Sequence, residues 1–195
     1  MDYYVGNLYS LKCALEKVGF TVSIGISKRQ LKQAEAIILP GVGDFSAASK
    51  NLSPFSRDLI ELAKGGTPVM GICLGMQLLF QKSEEGEGEG LALLEGESVQ
   101  LPKVVKVPHM GWNTLRVVKQ NPLFEGLKSE LYYYFAHSYY AIPVDREVIC
   151  AETYYGTTFA SVVAKQNIFG TQFHPEKSSA QGLKFLKNFL IFVKR

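Results

Sequence analysis

The segment Pro68-Val69-Met70-Gly71-Ile72-Cys73-Leu74-Gly75 decides the fold class of this chain. Its apolar first half, Pro68 to Ile72, has the composition of a strand buried on both faces of a parallel sheet. A helical pattern follows from Leu74 to Gln81, so Cys73 stands where a strand meets a helix. The Gly-x-Cys-x-Gly spacing is that of a nucleophile elbow, a sharp turn that projects its central side chain. The segment predicts a reactive thiol, and an inert buried cysteine is the alternative that this motif alone leaves open.

The same alternation of strand and helix is predicted around this segment. Helices are expected from Leu8 to Val18 and from Phe55 to Lys64, and strands from Phe20 to Ile24 and from Ala36 to Leu39. Consecutive β-α-β units pair their strands in parallel and cover the sheet with helices. The first half therefore predicts an α/β fold, with an open, mostly parallel, twisted sheet flanked by helices.

The second half has a different composition. From Val99 to Gln172 it is rich in Tyr, Val, Thr and Phe, which predicts a mixed or antiparallel, strand-rich region. An amphipathic helix with Leu183, Leu186, Phe189 and Leu190 on one side closes the chain. The stretch from Ser83 to Gly90 alternates Glu with Gly and is predicted to be a mobile acidic loop.

Bulk composition excludes several classes of protein. The 195 residues, 47% of them hydrophobic and 20% charged, suit one globular domain over residues 1–195. The net charge of +3 is scattered, which argues against a nucleic-acid-binding or membrane-surface protein. Cys13, Cys73 and Cys150 are odd in number and widely spaced, so neither a disulfide framework nor a metal site is expected. A reducing, cytoplasmic location fits this composition.

A thiolate nucleophile also needs a base, and His174 is the strongest candidate among the three histidines. It directly follows a predicted strand, and Glu176 lies two residues further on, where its carboxylate could orient the imidazole. Taken alone, a His-Pro-Glu tripeptide more often marks a structural or solvated histidine. Combined with the cysteine elbow, it predicts a Cys-His-Glu triad.

The loop Pro40-Gly41-Val42-Gly43 ends an earlier predicted strand. Carboxyl ends of parallel strands open onto a common crevice, so we expect this loop to meet the elbow there. Its glycines would let a backbone N–H face a developing oxyanion, with the N–H of Leu74 as a second donor. A phosphate-binding loop is disfavoured because no Gly-Lys-Ser/Thr follows, and a simple turn is the remaining alternative.

These motifs occur together with others in an order that resembles the class I (triad) glutamine amidotransferases over nearly the whole chain. The strings that carry the resemblance are Pro40-Gly41-Val42-Gly43, Gly71-Ile72-Cys73-Leu74-Gly75-Met76-Gln77-Leu78-Leu79-Phe80, Pro108-His109-Met110-Gly111-Trp112-Asn113, Phe135-Ala136-His137-Ser138-Tyr139 and Gln172-Phe173-His174-Pro175-Glu176-Lys177-Ser178. With Met76 after Cys73-Leu74-Gly75, the chain resembles the histidine-biosynthesis branch of that family. The anthranilate and carbamoyl phosphate branches usually have a histidine at this position. The start departs from the family pattern, because Met1-Asp2 precedes Tyr3-Tyr4 without the usual apolar residues and Tyr4 stands where a glycine is common. A shortened first strand and a start placed too late are the two alternatives.

The resemblance implies a glutaminase without a cofactor. Cys73 would attack the side-chain amide of glutamine, His174 would shuttle protons, and Glu176 would orient His174. It further implies oxyanion donors at Val42 and Leu74. Substrate contacts are implied at Gly43, Gln77, Glu85, Ser138 and Tyr139; for Glu85 a solvated loop charge, and for Gln77 an ordinary polar helix residue, are the alternatives.

The resemblance also implies a partner, a cyclase (β/α)₈ barrel subunit that would receive the ammonia. Candidate interface residues are Asn7, His109, Met110, Trp112, Tyr134 and Lys177. The alternatives are a helix cap for Asn7, core packing for Trp112 and Tyr134, and a solvated charge for Lys177. Rival functions are a glutaminase subunit for another synthase, such as anthranilate synthase, and a Cys-His hydrolase or protease of related fold.

Overall fold

The computed structural model describes residues 1–2, 8–25, 27–127 and 132–195. The helices are α1 (Leu8–Val18), α2 (Lys28–Gln33), α3 (Phe45–Lys64), α4 (Leu74–Gln77) and α5 (Ser179–Val193). The strands are β1 (Ile37–Leu39), β2 (Val69–Ile72), β3 (Lys82–Ser83), β4 (Gly96–Gln100), β5 (His109–Thr114), β6 (Arg116–Val117), β7 (Tyr132–His137), β8 (Tyr139–Pro143), β9 (Ile149–Tyr154), β10 (Thr158–Lys165) and β11 (Ile168–Thr171). Among these residues no helix is long and apolar enough to cross a bilayer.

A six-stranded mixed sheet, in the order β1-β2-β11-β10-β9-β6, forms the centre of the fold. Parallel pairing joins β2 to β1 and to β11, and the remaining strands pair antiparallel. The α/β class is confirmed, and within this sheet the parallel pairing is confined to β1, β2 and β11. β2 and β11 are parallel and in register, with Gly71 opposite Gly170 and Ile72 opposite Thr171. The residues that follow the two strands therefore lie at the same edge of the sheet.

Helices cover both faces of this sheet because its buried strands present apolar side chains in both directions. Val69 packs into a cluster with α3, whereas Met70 and Ile72 pack into a second cluster with α1 and α5. This alternation is the period-two geometry of a strand buried on both faces. Two smaller sheets, β3-β4-β8 and the antiparallel ribbon β5–β7, complete the fold; the connection between β5 and β7 contains β6.

Three predicted elements differ from the structure. Phe20 to Ile24 forms no strand, because a strand needs a hydrogen-bonded neighbour and the described sheet ends at β1. Helix α3 starts at Phe45, ten residues before the predicted Phe55, because the Asp44 side chain accepts a hydrogen bond from Ala47 N (2.9 Å) and caps it. Pro54 hid this continuity, since a proline in a helix interior normally signals a break.

Helix α4 is also shorter than predicted, since it ends at Gln77 and the chain then turns toward β4, where Gln81 N donates to Gly96 O (3.1 Å). The segment predicted to be an acidic loop lies against α3. Ser49 Oγ donates to Glu89 O (2.7 Å), and Phe45 N donates to Glu85 Oε2 (3.0 Å).

Candidate active site

Cys73 occupies the turn between β2 and α4 with a strained backbone. Its φ of 54° and ψ of −109° lie in a region that L-residues rarely adopt, which costs on the order of 1–3 kcal/mol. Its N–H donates to Thr171 O (2.7 Å), which ties the turn to β11. Cys73 is buried, with 5% of its residue surface exposed. The sharp, strained elbow predicted from the Gly-x-Cys-x-Gly spacing is therefore present.

Flanking glycines make this turn possible by close backbone approach. A Cβ on Gly71 would overlap the carbonyl oxygen of Gly75, and a Cβ on Gly75 would overlap the carbonyl oxygen of Leu39. A Cβ on Gly41 would lie 2.5 Å from Leu74 Cβ and 2.6 Å from Gly75 N. The loop after β1 therefore lies directly on the elbow, as the common crevice at the strand ends predicted.

His174 and Glu176 form a buried pair beside the elbow. His174 follows β11, and Pro175 opens the short 3-10 turn (Pro175–Lys177) that carries Glu176 back toward it. His174 Nδ1 donates to Glu176 Oε1 (2.9 Å), and both side chains are almost fully buried. The backbone N–H of His174 donates to Tyr134 O (2.8 Å), which fixes the histidine against β7.

The electrostatics of this pair favour a protonated imidazole. Burial lowers the pKa of His174, but its interactions with Cys73 and with the Glu176 carboxylate outweigh that effect and raise the pKa to about 10. Nε2 of His174 is buried and has no hydrogen-bond partner among the described residues. Cys73, His174 and Glu176 are thus brought together in the arrangement of a sulfur nucleophile, a proton-carrying imidazole and an orienting acid.

The predicted oxyanion donors lie on the two segments that meet at the elbow. Leu74 is the first residue of α4, and Val42 lies in the loop that packs on it. Gly43 next to Val42 has a φ of +132°, a conformation that favours glycine. Both peptide groups therefore border the Cys73 site, and their role as oxyanion donors stays a prediction.

The predicted substrate contacts lie at two places around Cys73. Buried Gln77 donates from Nε2 to Tyr139 O (2.9 Å), and Ser138 O accepts from Leu101 N (2.9 Å). On the other side, Glu85 meets the start of α3 just after Gly43. Burial raises the pKa of the Glu85 carboxyl, an effect that the hydrogen bond from Phe45 N opposes. Gln77 and Glu85 are thus neither ordinary surface residues nor freely solvated charges.

Four predicted interface residues can be placed on one surface, which we call the hairpin face. Met110 and Trp112 are 66% and 52% exposed. Trp112 packs edge-on against Tyr134, with ring centroids 6.0 Å apart, and Lys177 Nζ lies 5.6 Å from the centre of the Tyr134 ring. The two apolar side chains on β5 project outward, and neither Trp112 nor Tyr134 is a core aromatic.

His109 differs from the prediction. It is buried, stacks between Phe135 and Tyr155, and points away from the hairpin face, because alternate residues of β5 face opposite sides. Its Nδ1 lies 3.0 Å from His137 Nε2. His109 therefore adds no exposed surface to the hairpin face, and its role at an interface stays a prediction. Asn7, the remaining candidate, lies outside the described residues.

Gln172 was missed as a site residue. It is completely buried, and its Nε2 donates to Cys73 Sγ (3.6 Å). The signal was present in the sequence, because residues two apart in an extended segment point the same way and Gln172 precedes His174 by two. His137, which accompanies His109 in the interior, was missed as well.

The two buried neutral histidines predict a loss of stability on mild acidification. Burial lowers the pKa of His109 to about 4 and that of His137 to about 3, so between pH 6.5 and 4 the unfolded chain binds two more protons than the folded chain. The contribution of these two histidines is therefore full above pH 6.5 and falls below it, by roughly 1.4 kcal/mol per pH unit for each histidine. His174 is protonated in both states there and adds no slope.

Urea unfolding at pH 7.0, 6.0 and 5.0 measures this effect. His137→Asn is expected to halve the slope, because one of the two titrating groups is gone. A slope that is the same in His137→Asn and in the natural chain would contradict the assignment.

Comparison with known proteins agrees with this geometry. The family Glutamine amidotransferase class-I matches residues 1–193. The chain is 46% identical over 191 residues to imidazole glycerol phosphate synthase subunit HisH of Methanocaldococcus jannaschii, covering 97% of this chain and 96% of that protein. It is also 46% identical to the subunit of the same name from Moorella thermoacetica, covering 97% and 91%.

Solved structures share the fold at low sequence identity. One is a glutamine amidotransferase, with a TM-score of 0.78 at 19% identity, covering 98% of this chain and 96% of that one. Another is PurLQS from Thermotoga maritima, with a TM-score of 0.70 at 20% identity, covering 94% and 91%. With a family match over residues 1–193 and relatives that are 46% identical and covered to 91% or more, the chain belongs to the class-I glutamine amidotransferases.

Proposed function

We propose that this chain is the glutaminase subunit of an imidazole glycerol phosphate synthase. It hydrolyses glutamine to glutamate and ammonia and passes the ammonia to a cyclase (β/α)₈ barrel subunit in histidine biosynthesis. The observation that carries the catalytic part is the buried His174–Glu176 pair, joined at 2.9 Å, beside a strained cysteine elbow. The 46% identity to HisH subunits supports the choice of synthase. The reduced thiol that the reaction needs fits the cytoplasm.

In the first half of the reaction, the Cys73 thiolate adds to the side-chain amide carbon of glutamine. The carbonyl electrons move onto oxygen, and the N–H groups of Leu74 and Val42 stabilise that oxyanion. His174, protonated at neutral pH, donates its Nε2 proton to the amide nitrogen. The carbon–nitrogen bond then breaks, ammonia leaves, and a γ-glutamyl thioester remains on Cys73.

In the second half, neutral His174 accepts a proton from water, whose oxygen attacks the thioester carbon. The carbon–sulfur bond breaks and glutamate leaves, which restores the thiolate and the imidazolium. Glu176 fixes the proton of His174 on Nδ1 throughout, so Nε2 always faces the reacting atoms. Substrate recognition falls to Gly43, Gln77, Glu85, Ser138 and Tyr139, of which Glu85 supplies the carboxylate suited to the α-ammonium group.

The hairpin face is the proposed docking surface for the barrel subunit. Exposed Met110 and Trp112 lie beside Tyr134, and aromatic residues and Met are enriched at protein interfaces; Lys177 adds a cation over the Tyr134 ring. His174 N donates to the carbonyl of Tyr134, so the same strand supports both the docking surface and the catalytic histidine.

A turnover assay tests the proposal. We expect the isolated chain to hydrolyse glutamine slowly, and turnover to rise when the cyclase subunit and its nucleotide ligand are present, because hydrolysis without an acceptor wastes glutamine. Trp112→Ala should weaken subunit binding by about 30-fold, the effect of losing a hot-spot aromatic. Ile191→Ala, which truncates an exposed apolar residue on α5, serves as the matched control.

Three outcomes would decide against this assignment. Equal turnover with and without the cyclase subunit would refute the coupling. Product formation only with an anthranilate synthase subunit would assign the chain to that synthase. Hydrolysis of peptides without hydrolysis of glutamine would favour a Cys-His protease.

A further inference from the structure

A continuous hydrogen-bond chain joins the buried side of the β5–β7 ribbon to the sulfur of Cys73. One arm runs from Asn113 through His109 and His137 to the carbonyl oxygen of Tyr139, with spacings of 3.3, 3.0 and 2.9 Å. The other arm starts at the same oxygen. Gln77 Nε2 lies 2.9 Å from Tyr139 O and 3.4 Å from Gln172 Oε1, and Gln172 Nε2 lies 3.6 Å from Cys73 Sγ.

The Tyr139 carbonyl fixes the hydrogen positions in the histidine arm. A carbonyl oxygen can only accept, so Nδ1 of His137 must carry a hydrogen. Burial keeps His137 neutral by lowering its pKa to about 3, so its Nε2 must accept. Nδ1 of His109 is then the donor to His137, and its Nε2 accepts from Asn113 Nδ2. Each of these bonds therefore has one possible direction.

The same carbonyl fixes the amide orientations in the glutamine arm. Gln77 must present its NH₂ group to Tyr139 O, and the second hydrogen of that group points to Gln172. Gln172 therefore turns its oxygen toward Gln77 and its own NH₂ group toward Cys73. The network therefore determines that the NH₂ group of Gln172, and not its oxygen, faces the sulfur of Cys73.

A buried thiolate needs such a donor. Cys73 Sγ also contacts the carbonyl oxygen of Ala136 (3.6 Å), which can accept from a thiol but is electrostatically unfavourable beside a thiolate. The charged groups at the sulfur are His174 and, behind it, Glu176. His174 gives up its proton during each turnover, whereas the Gln172 amide cannot.

We propose that Gln172 is a further residue of the catalytic machinery, which stabilises the Cys73 thiolate by donating a hydrogen bond to it. Gln77 is a positioning residue that holds the Gln172 amide in the donating orientation. His137, held in turn by His109, donates to the Tyr139 carbonyl and so positions the acceptor that orients Gln77. The inference deepens the proposed function at one point, the role of Cys73 as nucleophile. It also means that hydrogen bonds connect the buried side chains of β5 to the sulfur of Cys73.

The first test measures the pH dependence of alkylation of Cys73 by iodoacetamide, with each cysteine peptide quantified by mass spectrometry. Gln172→Met keeps the length of the side chain and removes the donor; Gln172→Glu keeps the shape and places a carboxylate there. Loss of a hydrogen bond to a charged group should move the midpoint of the Cys73 profile upward by about one pH unit or more. Exposed Cys13 is the internal control, and its profile should not move.

An unchanged Cys73 profile in folded Gln172→Met would overturn the role of Gln172. Since burial is complete at this position, folding of each variant is checked by circular dichroism and urea unfolding. If neither Gln172 variant folds, the second test decides, because it leaves Gln172 in place.

The second test compares His137→Asn with His137→Leu. The asparagine amide nitrogen occupies nearly the position of Nδ1 and can still donate to Tyr139 O, whereas leucine cannot. We expect His137→Asn to retain the natural Cys73 alkylation profile and His137→Leu to shift it upward. Profiles that coincide in the two variants would contradict the positioning role. Neither test uses glutamine or a partner. Alkylation profiles that do not shift would contradict the further inference, whereas an absence of glutamine hydrolysis would contradict the proposed function, so the two failures can be distinguished.

Discussion

Cys73→Ala is expected to reduce glutamine hydrolysis by about 10⁴-fold or more, because removal of a nucleophile from a triad eliminates the covalent route altogether. Cys73→Ser should restore little of this loss, since a hydroxyl beside His174 is a much weaker nucleophile than a thiolate. Both variants keep a small side chain at the strained elbow, so the fold should persist. The measurement is glutamate release in the presence of the cyclase subunit.

Cys13→Ala is the matched control, since Cys13 is an exposed thiol on α1 and takes no part in the site. It should retain full turnover. Residual activity of Cys73→Ala above a tenth of the natural rate would show that ammonia is released by another route.

Gly75→Ala is expected to destabilise the fold by about 3 kcal/mol or more, the upper range for overpacking in a core. The added methyl group would overlap the carbonyl oxygen of Leu39, a backbone atom at the end of β1 that cannot rotate away. The loop from Pro40 to Gly43 would then have to leave the elbow. The loss of stability should therefore be accompanied by a loss of glutaminase activity in the molecules that still fold.

Gly66→Ala separates overlap from backbone strain. Gly66 has a φ of +95° and open space around its hypothetical Cβ, so only the conformational cost of about 1–2 kcal/mol applies there. Urea unfolding of both variants measures the difference. If Gly75→Ala costs no more than Gly66→Ala, the close approach of loop and elbow is not what stabilises this region.

The strand-to-helix elbow could be predicted because its signals are local. An apolar run from Pro68 to Ile72, flanking glycines and a following helical pattern all lie within a few residues of Cys73. Its meeting with His174 follows from one further rule, that neighbouring parallel strands open at the same edge. The pairing of β2 with β11 satisfies that rule, although about a hundred residues separate the two motifs.

The orientation of the β5–β7 ribbon could not be predicted from polarity. On β5, Met110 and Trp112 face outward while His109 and Asn113 face inward, the reverse of the usual hydrophobic alternation. The inward histidine is tolerated because His137 and Asn113 satisfy both of its ring nitrogens. Such compensation depends on long-range contacts, so neither the local sequence nor the resemblance that made His109 an interface candidate indicates its burial.

Two other predictions were wrong because the local sequence does not show which tertiary contacts a segment makes. The alternating pattern from Phe20 to Ile24 predicted a strand, but alternation does not supply a neighbouring strand. The helix was predicted to start at Phe55, directly after Pro54, but the Asp44 cap and the packing of Phe45, Ala48 and Leu52 in the core extend α3 to Phe45. In each case tertiary contacts, or their absence, decided against a local signal.

Labelling by a diazoketone analogue of glutamine tests the central claim most directly, namely that Cys73 is the glutaminase nucleophile. The analogue requires both recognition as glutamine and attack by an activated thiolate, so peptide mapping reports binding and chemistry together. We predict one covalent adduct per chain, located on the peptide that contains Cys73, and protection by excess glutamine. An adduct on Cys13 or Cys150, or none under conditions where the chain hydrolyses glutamine, would contradict the account.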